Sequence, residues 1–336
     1  MSLIFAGSEP EAFKQLNPGA LSFTTTVGTG DGNYDSNFAR GALVPGASSA
    51  YYVVLNSGLT EIWIRWRSRD TGDVGQSSAD WFYVKNQAGT EVFWFEGEGV
   101  GSSERFTAER WDGSVRQTVG SFLTHAQQSA IFYDVHIKID ASAGIIRVYQ
   151  DNMLQAEYTG DTSGLGTTID EIYFANSASH QPYISECIIA DESTIGWRVE
   201  THYGVGTGAN TAWTGDYDDT DDADLNDASS ISTTSNSVDE SFILNDMGAT
   251  AETMEIKGVV VSARAKNDAA GPGNIDMLLR PVSTNYVNGT NYLDTQTALT
   301  AGYLPYQAVW ETNPEDSGAW ANTDIDALQA GVRSLA

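Results

Sequence analysis

The sequence predicts an all-β protein of two domains, and three observations carry that prediction. Phe132 to Thr159 spells three consecutive antiparallel strands separated by two tight turns. The composition favours strands and turns, with 9 Trp, 15 Tyr, 12 Phe and 33 Gly against 8 Pro. Helical spacing is confined to one short segment near the end, and no repeat of fixed period is visible. At 336 residues the chain is long enough for two cores of its own.

Taken in order, Leu21 to Val27 and Tyr51 to Leu55 read as short strands between Gly, Asn and Pro-rich turns. Glu61 to Arg67 alternates cleanly, with Ile62, Ile64 and Trp66 placed together by the period of two, so it is expected at the centre of a sheet covered on both sides. Trp81 to Val84 and Glu91 to Phe95 form a hairpin turning at Asn86 to Gly89. Phe106 to Trp111 and Ser114 to Thr118 form another through Asp112-Gly113. In the meander that follows, Val135, Ile137, Ile139, Ile146 and Val148 are assigned to the core, and His136 to the solvent face. Ser142-Ala143-Gly144 makes the first turn and Asp151-Asn152 the second. Ile169 to Ala175 and Tyr183 to Ala190 complete the first domain, whose first and last strands are expected to pair. The boundaries are 1–192 and 193–336, with Ser193 to Gly196 as the hinge.

The second domain opens with Trp197 to Tyr203 and enters a long polar loop from Thr211 to Ser230. Strands resume at Glu240 to Leu244, then Met254 to Lys266 and Asn274 to Pro281, the last two joined by a turn at Asp268 to Gly273. Near the end Thr323 is expected to cap a short helix running to Ala330, with acidic residues in its first turn and Gly331 as its stop.

A formal net charge of −28, from 17 Lys and Arg against 45 Asp and Glu, argues against a nucleic-acid partner. No stretch approaches the roughly 20 apolar residues of a membrane span. The single cysteine, Cys187, has no intrachain partner and reads as a buried thiol. Met1 to Gly7 lacks the basic and long apolar regions of a secretory signal.

Residues that could carry chemistry are few. A sandwich glycosidase needs two carboxylates flanking one bond, but Asp170-Glu171 and Asp191-Glu192 are adjacent pairs pointing to opposite faces. His125, His136, His180 and His202 lack zinc spacing. No Gly-Xaa-Ser-Xaa-Gly elbow is present, and Gly204-Val-Gly-Thr-Gly lacks the lysine and helix of a phosphate loop. Asp216, Asp218, Asp219, Asp221, Asp222 and Asp224 supply oxygen donors for Ca2+. The EF-hand positions that need Gly and Glu hold Asp221 and Asp227, however, so a solvated acidic loop competes with the calcium reading. Trp81, Trp94 and Trp111 fall at strand or turn ends, where exposed indoles stack on sugar rings. Asp112 and Asn152 sit in hairpin turns that can present polar groups to a glycan, or simply form the turns.

The run His136-Ile137-Lys138-Ile139-Asp140, followed by Val148-Tyr149-Gln150-Asp151-Asn152-Met153-Leu154, resembles the back-sheet hairpin of concanavalin A-like or laminin-G-like sandwiches. Together with Leu3 to Gly7, Ala12-Phe13, Ile188 to Glu192 and Ala308 to Pro314, it resembles a group of tailed-bacteriophage virion proteins. That resemblance implies a concanavalin A-like jelly-roll sandwich followed by a smaller C-terminal β-sandwich with one short terminal helix. It further implies a homo-oligomeric component of the particle exterior, as tail fibre, tail tip or head decoration, while the lack of a paired acidic strand argues against an enzyme. Such a protein is made in the host cytoplasm, contacts other virion proteins and binds host surface glycans. A ligand-free capsid cement protein and a polysaccharide-degrading enzyme are the alternatives.

Overall fold

In the computed structural model the described residues are 2–26, 32–70, 79–100, 103–126, 130–176, 182–268 and 270–336. They fall into two units, Met1–Val199 and Glu200–Ala336. Val27 and His180 lie outside the described residues.

The strands of the first unit follow the alternation read from the sequence. They are β1 (Leu3–Gly7), β2 (Lys14–Leu16), β3 (Leu21–Thr24), β4 (Ala42–Pro45), β5 (Ala50–Leu59), β6 (Glu61–Asp70), β7 (Ala79–Asn86) and β8 (Glu91–Val100). Then come β9 (Ser103–Trp111), β10 (Arg116–Ala126), β11 (Ile131–Lys138), β12 (Gly144–Gln150), β13 (Met153–Gly160), β14 (Ile169–Ala175) and β15 (Pro182–Ala190). One sheet runs β13-β12-β11-β6-β15-β4-β3, with β1 also on β15; the other runs β10-β9-β8-β7-β14-β5-β2. All their pairings are antiparallel, and the two sheets pack face to face as a β-sandwich. The two sheets meet through aromatic side chains: Trp66 of β6 stacks on Phe82 of β7 at 4.6 Å, and Tyr133 of β11 meets Phe95 of β8 at 5.1 Å.

The meander forms as its turns dictate. Asp151 and Asn152 both have positive φ, 47° and 66°, as a two-residue hairpin loop with right-handed strand twist demands. β6 occupies the middle of its sheet, as its two-sided pattern requires. Val135, Ile137, Ile146 and Val148 are fully buried, whereas Ile139 lies one residue beyond β11 and is only partly buried.

His136 departs from expectation. It does point to the outer face, but it is 4% exposed, stacked on Trp63 at 4.1 Å with one ring nitrogen 3.0 Å from Glu61. Burial extends along the same face: Arg65, Arg67 and Arg69 alternate down β6, and all three are buried. Arg65 pairs with Asp134, its cross-strand neighbour on β11, at 2.5 Å, the two side chains 2% and 0% exposed. Thr194 donates to the other Asp134 oxygen at 2.8 Å, and the Asn152 side chain accepts from Arg65 at 3.2 Å. Arg69 is held by Asn33. Arg198 grips Glu186 with two hydrogen bonds and Asp35 with a third, its guanidinium lying 3.6 Å over Phe38. Segments around residues 33–40 and 194–198 are thus fastened over the sheet.

Glu186 is fully buried at a bulge in β15 with φ of +52°, a conformation that costs a non-glycine residue of order 1 kcal/mol or more. Its grip on Arg198 explains why Ser193–Val199, read as part of the second domain, packs with the first unit. Burial opposes charge on both partners of the central pair, pushing the Asp134 carboxyl up and the Arg65 guanidinium down, while each favours the charge of the other.

The second unit contains β16 (Gly204–Thr211), β17 (Asp239–Leu244), β18 (Val259–Ala265), β19 (Asn274–Arg280), β20 (Leu304–Trp310), the helix α1 (Asn322–Asp326) and β21 (Gln329–Leu335). Strands β16-β17-β21-β19 form one sheet and β18-β20 another. Val261, Met277, Leu279, Tyr306, Trp310 and Val332 share one core cluster, making a smaller β-sandwich. Trp197 to Tyr203 form no strand, and the run from Met254 becomes strand only at Val259, because Ala251–Thr253 is a 3-10 turn. β18 and β19 do not pair with each other but lie in different sheets.

The largest revision is at the end of the chain. The helix has five residues, entered at Ala321 rather than capped by Thr323; the Asp324 carboxylate accepts the Ala321 N–H at 2.9 Å. Beyond it Ala330, Val332 and Ser334 alternate in β21, a central strand between β17 and β19. Gly331 is not a helix stop. A Cβ there would lie 1.9 Å from the Glu240 carbonyl oxygen, so the strand pairing itself requires glycine.

At the start of this unit Glu200 accepts the Gly248 N–H at 2.6 Å, and the His202 ring donates to the Asn245 carbonyl at 2.8 Å with Glu200 3.5 Å from its other nitrogen. Burial alone lowers the His202 pKa, but Glu200, the Asn245 carbonyl and Asp326 outweigh it and raise the group. Burial dominates at His136, whose pKa is lowered although Glu61 opposes the shift.

Two outcomes follow from these contacts. Asp134→Ala leaves Arg65 buried and unpaired, and urea unfolding should record a loss of about 3–5 kcal/mol. Combining it with Arg65→Met should cost less than the sum of the two single changes. Because the folded pKa of His202 is raised, its contribution is complete below its unfolded value near pH 6.5 and lost as pH rises through the folded value. His202→Gln should therefore be less stable than the parent near about pH 6, with the gap closing towards about pH 9. His136, lowered, works in the opposite sense: its contribution is present above about pH 6.5 and lost as pH falls through its folded value.

Candidate functional site

The five residues read as glycan contacts do not converge. Trp81 is 5% exposed, with its ring edge-on to Phe106 at 4.7 Å, and Trp94 is 4% exposed, its indole N–H donating to Glu91 at 3.1 Å. Neither presents the bare indole face that was expected: Trp81 packs on Phe106, and Trp94 stands beneath the Arg116 guanidinium, 3.9 Å from its ring centre. Trp111, half-buried at the end of β9, stands opposite Arg116. The Asp112 carboxylate accepts from the Ser114 and Val115 N–H groups, the Ser114 hydroxyl and the Gln117 amide. These bonds, the Val115 N–H first, hold its pKa well below the usual range, and they spend its lone pairs on the turn. Asn152 lies in the other sheet, where its side chain serves Arg65.

What the seven-stranded sheet offers instead is an ordered outer face. Phe82, Val84, Phe93, Phe95, Ile172 and Phe174 are buried, and the residues between them stand on the opposite side. The resulting row crosses five strands. Tyr52 of β5 stacks on Tyr173 of β14 at 4.8 Å and 5°, and Tyr173 stacks on Tyr83 of β7 at 4.6 Å and 9°. Tyr83 faces Trp94 of β8, which faces Glu109 of β9. Because the tyrosine rings are parallel to one another, they stand on the sheet like books on a shelf.

Polar groups border the row. Tyr173 donates to Glu171 at 2.7 Å, and Lys85 lies 4.3 Å over the Tyr173 ring. Arg116 lies 3.9 Å over the Trp94 ring and reaches Asp80 at 3.2 Å and Glu109 at 3.6 Å. Burial first, and then neighbouring carboxylates, push the Tyr83 phenol up; burial and the Glu171 hydrogen bond do so at Tyr173, so both remain protonated donors. Asp80 and Glu109 are raised as well, by burial and by the charge of Glu96, against the pull of Arg116. The signal for these tyrosines was present in the alternation Phe82-Tyr83-Val84 and Ile172-Tyr173-Phe174. The strand order that lines them up was not.

The acidic loop is organised by its own hydrogen bonds. Asp216 accepts from the Asp218 N–H and Asp219 from the Asp216 N–H, closing a 3-10 turn over Tyr217–Asp219. Asp219 also holds Ser229, Asp222 accepts from Asn226, Asp224 from the Leu225 N–H, and Asp227 pairs with Arg264. The carboxylates, Asp221 included, form no convergent set: among the described residues no group of three or more His, Cys, Asp or Glu could hold a metal ion. Asp170 and Glu171 are likewise spent separately, on Thr168 and Tyr173. Among the described residues no helix is long and apolar enough to cross a membrane.

No family profile and no curated protein matches the sequence. Among solved structures, a cellulose-induced protein aligns at 11% identity over 56% of this chain and 97% of its own, with a TM-score of 0.39. An alginate lyase from Pseudomonas aeruginosa aligns at 9% over 53% and 100%, TM-score 0.35. The carbohydrate recognition domain of Emp46p aligns at 14% over 52% and 89%, TM-score 0.34. With its carboxylates already bonded within the acidic loop, the protein should melt at the same temperature in calcium and in chelator; an upward shift with calcium would restore the metal reading.

Proposed function

We propose that the protein is a non-catalytic glycan-binding component whose ligand lies across the outer face of the seven-stranded sheet. The observation that carries this is the row Tyr52, Tyr173, Tyr83, Trp94 and Glu109, bordered by half-buried carboxylates. The partly exposed rings of Tyr52 and Tyr83 offer their edges and hydroxyl groups, Tyr173, 8% exposed and donating to Glu171, holds them apart, and the acids beside them are acceptors. A ligand rich in O–H donors satisfies both, and the rigid row holds its groups in place before the ligand arrives. Charge narrows the class. Asp80, Glu91, Glu96, Glu109 and Glu171 outnumber Lys14, Lys85, Arg105 and Arg116 on and around this face, so a neutral chain is favoured over a polyanionic one.

Binding rather than bond cleavage is the reading because the acids already have structural partners: Glu171 serves Tyr173, Glu91 serves Trp94, and Asp80 and Glu109 share Arg116. The setting on the exterior of a tailed-phage particle, with virion partners and several copies per assembly, rests on the sequence resemblance alone and is proposed on that footing.

An array of neutral and acidic oligosaccharides tests the face. Neutral chains should bind and oligouronates should not, and Tyr83→Ala or Glu109→Gln should weaken binding about five- to tenfold each. Absence of any bound glycan would favour a ligand-free cement protein, and release of shortened chains would establish an enzyme.

A further inference from the structure

Arg116 stands at the first position of β10, an edge strand, and its side chain is 39% exposed. Its guanidinium lies 3.9 Å from the centre of the Trp94 ring, with Asp80 at 3.2 Å and Glu109 at 3.6 Å. Trp94 is otherwise enclosed, its N–H held by Glu91. An indole face beneath a cation, with carboxylates on two further sides, has the composition of an ammonium-binding cage. Arg116 is only loosely committed to it. Its contacts with Asp80 are long, at 3.2 and 3.4 Å, that with Glu109 is longer, and surface ion pairs of this kind contribute little. Glu91 and Glu96 add further negative charge beside the same carboxylates. The one guanidinium therefore leaves the cage short of positive charge.

We propose that Trp94, Asp80 and Glu109 form a subsite for the ammonium group of an aminated sugar, which Arg116 occupies as an internal stand-in until such a ligand displaces it. This rests on the reading of the outer face as a glycan site and deepens it: the face accepts neutral chains, and this end of it selects those carrying free amines. The pyranose rings run along the tyrosine row, and the amine exchanges with the guanidinium over Trp94. No bond is made or broken. Arg116 thus sets specificity, by competing with the ligand for one small volume.

The test uses the full chain and two probes, a β-1,4-linked glucosamine tetramer and its fully N-acetylated counterpart, at about pH 6, where free amines are charged. Calorimetric titration gives the ratio of their affinities. In Arg116→Ala, and independently in Arg116→Gln, the preference for the amine tetramer should rise about tenfold over the parent, and added salt should erode it. Introducing Asp80→Asn and Glu109→Gln into the Arg116→Ala background should abolish the gain. If the parent binds the acetylated tetramer but the ratio is unchanged in both Arg116 variants, the subsite is wrong while the glycan face stands. If neither tetramer binds the parent or the variants, the face and the subsite fall together.

Discussion

The buried ion pair between Arg65 and Asp134 is the constraint on which the first unit's arrangement depends. Two neighbouring strands place opposite charges at one register position on what would otherwise be a solvent-facing surface. A pair that is 2% and 0% exposed is tolerable only if its remaining hydrogen-bonding capacity is met. Thr194 and Asn152 meet part of it, and Thr194 brings with it the segment that carries Arg198 to Glu186 and Asp35. One cross-strand pair thus fixes where the chain goes after its last sheet strand.

The two outer faces of the sandwich are consequently unequal. That of the eight-stranded sheet is used for closure: its arginines are internal, and chain segments lie over them. That of the seven-stranded sheet keeps Tyr52, Tyr83 and its carboxylates partly exposed around the buried Tyr173, and so it is the one with chemistry to offer. The contrast arises from side-chain type at alternate positions, Arg65, Arg67 and Arg69 on one central strand against Tyr83 and Lys85 on a strand of the other sheet.

Most strands were legible because burial on one face writes a period of two into the sequence, and turns such as Asp112-Gly113 and Asp151-Asn152 announce themselves by residue type. The errors fall where a local pattern has two solutions. Asp324 to Ala330 has helical composition, but Ala330, Val332 and Ser334 complete a sheet, and tertiary pairing overrides the preference of a short segment. Trp81 and Trp94 were read as exposed from their positions near strand ends, although the sheet continues beyond them. Period alone cannot distinguish an outer face that is open from one that is covered. Nor can it reveal that β14 lies between β5 and β7, which is what assembles the tyrosine row.

The pairing of β1 with β15 has a consequence for how the molecule is made. Residues Leu3 to Gly7 find their partners only at Cys187 to Ala190, and a ribosome synthesises nearly the whole first unit before that edge can close. Contacts so distant in sequence are slow to form. Until they do, the nascent chain carries an unpaired, apolar N-terminal strand, Leu3-Ile4-Phe5, of the kind that joins edges with other copies. The acidic excess of this part of the chain, 22 Asp and Glu against 11 Lys and Arg in residues 1–190, acts before the fold exists: mutual repulsion opposes association of such half-made chains until the last strand arrives.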